Sequence, residues 1–177
     1  MSEKAEQIIK EAGETLALRF EEEFEHHRAA CGSPIEEIVL AALMANTAVP
    51  DCIEWKFFGK GSPSKHQSFW NQEFAYVYQQ VRIGDYRADF LIVDCSVPFN
   101  LAKPRFMVIE CDGHDFHEKT KEQARHDKRR DRYFQSQGIK VLRFTGSEIF
   151  NDPAAVADEI VGELQCDDDW RNRDRVR

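Results

Sequence analysis

At 177 residues, with 42% hydrophobic and 32% charged side chains, the chain suits one soluble domain with a sizeable core and leaves little room for a second. A formal charge of −8 argues against a wholly basic nucleic-acid binder, no apolar run approaches the length of a membrane span, and Met1-Ser2-Glu3-Lys4 does not read as a signal peptide. The five cysteines (Cys31, Cys52, Cys95, Cys111, Cys166) are odd in number and lack a CxxC pair, which favours a reducing cytoplasm over disulfides or a zinc knuckle.

In chain order, residues 3 to 28 predict an amphipathic helix with Ile8, Ile9, Leu16, Phe20 and Phe24 roughly on one side, serving either as a dimer arm or as packing for the sheet. Ser33-Pro34-Ile35-Glu36 combines an N-cap, a proline at the first helical position and a capping-box glutamate, and opens a helix to about Asn46. From Thr47 to Asn71 the pattern dissolves: prolines and glycines punctuate a run in which Trp55, Phe57, Phe58, Phe69 and Trp70 are interspersed with Lys56, Lys60 and Lys65. So long a segment is either functional or carries short structure of its own, and its aromatics read as local core or as a base-stacking surface.

Strands are predicted at 74–82, 86–94 and 106–111, the first two joined by a tight hairpin at Ile83-Gly84-Asp85, where glycine is free to take positive φ. A second loop lies between Pro98 and Pro104. Thr120 to Gln137 predicts a charged helix stopped by Gly138, Ile139 to Phe144 a fourth strand, and Asp152-Pro153 a last helix to about Leu164. The order is α-α-β-β-β-α-β-α, an α/β fold with a mixed central sheet of about four strands flanked by helices. The helix between strands three and four implies that those two run parallel. One domain is expected over 1–165, with a helical extension at 1–31, a core at 33–164 and a charged tail at 166–177.

The polar residues set among these apolar runs carry the chemistry. Asp89 begins one buried strand, while Glu110 and Asp112 end the next, and carboxylates there are costly to desolvate without a cation or proton to offset them. Hard oxygen ligands suit Mg²⁺ or Mn²⁺, which orient a phosphate, offset developing charge and acidify a water. Asp112 lies two residues past Glu110, on the same side of an extended strand, and His117 has the pKa range of a general base. The blander readings are a hairpin-end Asp89 paired with Arg87 or Lys140, a Glu36 that only caps its helix, and a soft-metal site at Cys111, His114 and His117 lacking a fourth ligand. Base concentrates between Lys119 and Arg132, so a basic face can coexist with an acidic whole. Arg125, Lys128, Arg129, Arg130 and Arg132 read as phosphate contacts or as a solvated helix face partnered by Asp127 and Asp131.

The series Gln80-x-x-Ile83-x-x-Tyr86-x-x-Asp89-Phe90, Glu110-x-Asp112-Gly113-x-x-x-His117, Asp127-x-x-Arg130-Asp131 and Gly138-x-x-Val141-Leu142-Arg143-Phe144 resembles the PD-(D/E)xK nuclease superfamily, nearest its very-short-patch-repair-like branch. The likeness spans roughly Ser33 to Ile160. It implies a restriction-endonuclease-like core and a metal-dependent nuclease that hydrolyses phosphodiester bonds in DNA, with RNA as the other backbone such a site accepts. A catalytically silent binding module on the same fold is the alternative. By resemblance Asp89 and Glu110 are metal ligands, and Cys111 offers the metal its backbone carbonyl. Glu36 assists at the metal, Gln80 positions the nucleophile or phosphate, and His117 handles the water. Asp112 stands where the superfamily has its lysine, so Arg130 or Lys128 would supply that charge. Phe116 falls near the position of a base-step wedge.

Overall fold

The computed structural model of the protein describes residues 3–46, 54–60, 63, 74–95, 104–113 and 121–166. Expectations for His114, Phe116 and His117, for most of the 47–71 segment, for the loop before Pro104 and for the tail beyond Cys166 lie outside these residues.

Five strands form one mixed sheet in the order β1-β2-β3-β4-β5: β1 (Glu54–Lys60), β2 (Phe74–Ile83), β3 (Tyr86–Asp94), β4 (Arg105–Asp112) and β5 (Lys140–Thr145). The pairs β2–β3 and β3–β4 are antiparallel, whereas β1–β2 and β4–β5 are parallel. The expected fold class holds, with one strand more than expected: β1 lies inside the 47–71 segment, where Trp55 and Phe57 pack on one core and Phe58 on the other, while Lys56 and Lys60 are exposed. Gly59 falls at a register shift in β1, which lets the strand end on an irregular edge.

Helices cover both faces, so β3 reads as an unbroken apolar run from Phe90 to Val93. On one face α2 (Pro34–Ala45), α4 (Gly146–Asn151) and α5 (Pro153–Cys166) bury Val39, Leu40, Leu43, Ile149 and Ile160 against Val77, Phe90, Ile92 and Ile109. On the other, α3 (Lys121–Ser136) sets Phe134 against Tyr78, Leu91, Val93 and Val108. Ser33 caps α2 as its sequence predicts. The short helix α4 was not expected, although Thr145 and Glu148 make a full capping box at its start. Where β3 ends and β4 begins, the fully buried Asp94 pairs with Arg105, which also donates to the Leu164 carbonyl and so ties α5 to β4.

The first helix, α1 (Glu3–Arg28), forms over the expected span but does not bury the expected stripe. Ile8, Ile9 and Leu16 are exposed and only the C-terminal end packs, through Phe24, His27 and Ala30. Among the described residues no helix is long and apolar enough to cross a membrane.

The β2–β3 hairpin turns at Gly84, whose φ of +62° is the left-handed conformation that L side chains avoid. A Cβ there would also meet the Tyr133 ring, 2.7 Å from Cζ. Gly84→Ala is therefore expected to lower stability by about 1–2 kcal/mol, the usual cost of a strained left-handed residue. Urea unfolding of the two proteins checks this, and equal midpoints would contradict the turn geometry.

Candidate active site at the end of the sheet

The pairing of β2 with β3 runs in one register from Ala75 opposite Asp94 to Ile83 opposite Tyr86, and only the Gln80–Asp89 pair drops out of it. Around that gap the pleat reverses. Tyr78 and Val81, three residues apart, share a face, and so do Ala88 and Leu91. Strict alternation would place residues three apart on opposite faces. Gln80 takes up the reversal with φ at +51°, in the left-handed region and not at a glycine, the kind of backbone strain that gathers at functional sites. The interruption releases two polar side chains from the ladder at one point.

Those side chains meet an acid from α2. Gln80 Nε2 donates to Glu36 Oε2 at 2.7 Å and to Asp89 Oδ1 at 3.4 Å, so one amide bridges two carboxylates. Glu36 is buried and does more than cap its helix. It accepts the Gly32 N–H at 2.8 Å and the Ser33 hydroxyl at 2.9 Å, while Oε2 faces Gln80. A Cβ at Gly32 would lie 2.8 Å from Gln80 Nε2 and 3.0 Å from Glu36 Oε1, so a side chain there would push these two groups out of their present contacts.

Asp89 Oδ2 accepts the Cys111 backbone N–H at 2.8 Å, which ties β3 to the end of β4. The last cross-strand pair there is Phe90 with Ile109, so Asp89 and Glu110 are the next residues on facing antiparallel strands, and Asp89 is near enough to raise the Glu110 carboxyl. Of the two partners the blander reading gives Asp89, Lys140 instead bonds Glu163 at the opposite end of β5, while the charge of Arg87 does act on Asp89. The Cys111 thiol is buried and pushed far up by desolvation, which leaves its backbone as the part able to engage a cation.

Glu110 Oε2 lies 3.1 Å from Arg130 Nη1, and both side chains are largely withdrawn from water. Its other oxygen, Oε1, is buried without a hydrogen-bond partner. Asp112 stands 3.5 Å from Arg143 Nε, and Arg143 also donates to Asp131 at 2.9 Å. Burial pushes the Glu110 carboxyl up to about 7, with Asp89 and Asp112 adding to the rise and Arg130 and Arg143 opposing it. Asp89 is raised as well, chiefly by burial and then by Glu36, against the Cys111 N–H and the charges of Arg130 and Arg87.

Among the described residues no three His, Cys, Asp or Glu side chains are grouped to hold a metal ion. A magnesium ion commonly needs only one or two carboxylates and completes its shell with water and substrate phosphate. The bare Glu110 Oε1 and the neighbouring Asp89 fit that demand, since a hard cation would satisfy an orphaned anionic oxygen.

Of the expected phosphate contacts on α3, Arg130 turns inward, whereas Arg125, Lys128, Arg129 and Arg132 are exposed. A cleft of about 640 Å³ opens between α3 and the β2–β3 hairpin, lined by Lys60, Gln80, Arg82, Arg87, His126 and Arg130 among others. Four of these were not expected from the sequence: Lys60, Arg82, Arg87 and His126. A signal for the two arginines was present, because a two-residue turn at Gly84-Asp85 pairs residue 83 with 86 and hence 82 with 87.

The raised carboxyl sets a pH dependence. Below the ordinary value of 4.5 the folded and unfolded chains both hold the Glu110 proton, and between 4.5 and about 7 only the folded one does. Stability of the metal-free protein should therefore fall as pH rises across that window. Glu110→Gln should flatten the fall by roughly 3 kcal/mol, since each tenfold difference in proton affinity between folded and unfolded chain is worth about 1.4 kcal/mol. Denaturant unfolding from pH 4 to 8 in chelator reads the slopes, and parallel curves for the two proteins would rule the desolvated carboxyl out.

No curated protein and no solved structure matches the chain. The family model REase_MTES_1575, that of a restriction-endonuclease-like family, matches residues 69–164, just over half of it. The match takes in β2 to β5 and with them Gln80, Asp89, Glu110 and Asp112, while Glu36 and β1 lie ahead of it. With a mixed sheet covered by helices on both faces and acids gathered at one end of it, the chain belongs to this restriction-endonuclease-like family.

Proposed function

We propose that the protein is a divalent-metal-dependent nuclease that hydrolyses phosphodiester bonds in DNA, with Asp89 and Glu110 holding the cation. One observation carries the reading: two desolvated carboxylates stand just past the last pair of two facing strands, and one oxygen of Glu110 has no hydrogen-bond partner among the described residues. A bound Mg²⁺ or Mn²⁺ would orient the scissile phosphate, offset its developing charge and acidify a water. Asp89 is held in place by the Cys111 N–H, and Gln80 fixes Glu36 relative to Asp89. Arg130, already beside Glu110, takes the part of the lysine that Asp112 replaces, offering a guanidinium to the phosphate. The proton acceptor is assigned from sequence order to His117. The spacing from Glu110 to His117 also supports a place near the very-short-patch-repair-like branch.

A second reading, a catalytically silent nucleic-acid-binding module, is favoured by the same ion pair, because Arg130 already neutralises Glu110 without a metal. Supercoiled plasmid with Mg²⁺ or Mn²⁺ separates the two. Wild type is expected to nick or linearise it, and Asp89→Ala to cut at least about 10³-fold more slowly, equivalent to several kcal/mol of lost charge stabilisation. Calorimetry should show saturable Mn²⁺ binding that the same substitution removes. Full cutting by Asp89→Ala would refute the assignment of the acids, and absence of both cutting and Mn²⁺ binding in wild type would favour the silent module.

A further inference from the structure

The cleft between the β2–β3 hairpin and α3 has a charge that the whole chain does not. Among its described lining residues are four cations, Lys60, Arg82, Arg87 and Arg130, and one carboxylate, that of Asp85, in a chain whose net charge is −8. Arg82 and Arg87 stand directly opposite each other across the hairpin, where like charges repel. Both are exposed, and among the described residues no carboxylate lies within ion-pair distance of either, although Arg87 is near enough to Asp89 to favour its charged form. A fold that opposes two guanidinium groups beside a cleft, with no described acid to pair them, has the arrangement that a polyanion would relieve.

The cleft is built from rigid parts. Tyr86 packs edge-on against His126 with ring centroids 5.5 Å apart and is backed by Tyr133 and Phe134, so hairpin and helix are held together at its floor. It also opens onto the acids. Gln80 and Arg130 line the cleft, and the same two residues touch Glu36, Asp89 and Glu110.

We infer that this cleft is a phosphodiester-binding subsite in which Arg82 and Arg87, with Lys60, hold the backbone of the nucleic-acid strand that leads to the acid cluster. The inference rests on the nuclease reading for its choice of ligand and assigns the contact to the hairpin instead of the exposed face of α3. These contacts position the strand and read no sequence. The cross-strand arginines act as a pair, because the hairpin register fixes their spacing.

Binding, not cutting, tests it. Fluorescein-labelled 16-nucleotide DNA, as a single strand and as a duplex, is titrated with the full-length protein in chelator over a range of salt concentrations. Removing two phosphate contacts in Arg82→Gln/Arg87→Gln should shrink the slope of log affinity against log salt by about 1.4 on the single strand and about 1.8 on the duplex. Arg82→Lys/Arg87→Lys keeps the charges and should hold most of the wild-type slope. Relief of the cross-strand repulsion should leave the Gln pair at least as thermally stable as wild type. A wild-type slope in the Gln pair overturns the inference, and so does a Lys pair that loses as much as the Gln pair. Failure of wild type to cut plasmid with magnesium would count against the nuclease reading and leave this binding result standing.

Discussion

Taking the Glu110 carboxylate out of water toward the end of β4 costs several kcal/mol unless charge is returned to it, and the architecture around it supplies that charge chiefly from Arg130, with Arg143 adding to it. Arg130 reaches Glu110 Oε2 from α3, on one face of the sheet. Oε1 is left bare. Glu36 approaches from α2, on the opposite face, and carries negative charge toward Asp89. The acids thus gather at the sheet end, where helices on its two faces can both reach, and each one added raises the cost of ionising the others. Such a cluster stays folded by holding protons, by pairing with arginines or by accepting a cation. The first two are visible in the elevated Glu110 carboxyl and in its ion pair with Arg130.

Convergence of the acids depends on a local break in regular structure. Had β2 and β3 kept a strict pleat, Val81 and Ala88 would face away from the cluster they now join. The reversal at Gln80 and Asp89 keeps the register intact while turning the ends of both strands over. The strain at Gln80 is held by hydrogen bonds to two carboxylates and by the packing on either side of the gap. The same reversal sets Val81, Ile83, Tyr86 and Ala88 on the α3 face and so turns Arg82 and Arg87, which alternate with them, to the other.

Most elements were legible because their signals are local. The Ser33 cap, the Gly84 turn, the Gly138 stop with φ at +70° and the apolar runs of β2 to β5 each follow from a few neighbouring residues. The acids were legible too, as carboxylates set at the ends of apolar runs. What escaped was either short or assembled. In β1 three aromatics, Trp55, Phe57 and Phe58, share seven residues with two lysines and Gly59, too little periodicity to mark a strand until β2 supplies a partner. The helix α4 spans six residues, less than two turns, so only its capping box announces it. Along α1 the apolar residues were legible but their burial was not, since periodicity reports a face and says nothing of what covers it. The cleft depends on hairpin register and helix docking, and its cations come from β1, β2, β3 and α3. A basic run in sequence therefore pointed to α3 alone.

Arg130 belongs to both halves of the arrangement, and that shared membership has a thermodynamic consequence in the proposed function. Its guanidinium rests on Glu110 while lining the cleft. A cation at the acids would repel it, and a phosphate in the cleft would attract it. Each ligand therefore weakens the ion pair that competes with the other. Coupling of this kind is reciprocal: whatever factor metal adds to nucleic-acid affinity, nucleic acid must add to metal affinity. An acidic chain gains from such linkage, since its overall field discourages stray binding of nucleic acid. The strand that does enter the basic cleft would then carry Arg130 with it and leave the acids free for a cation.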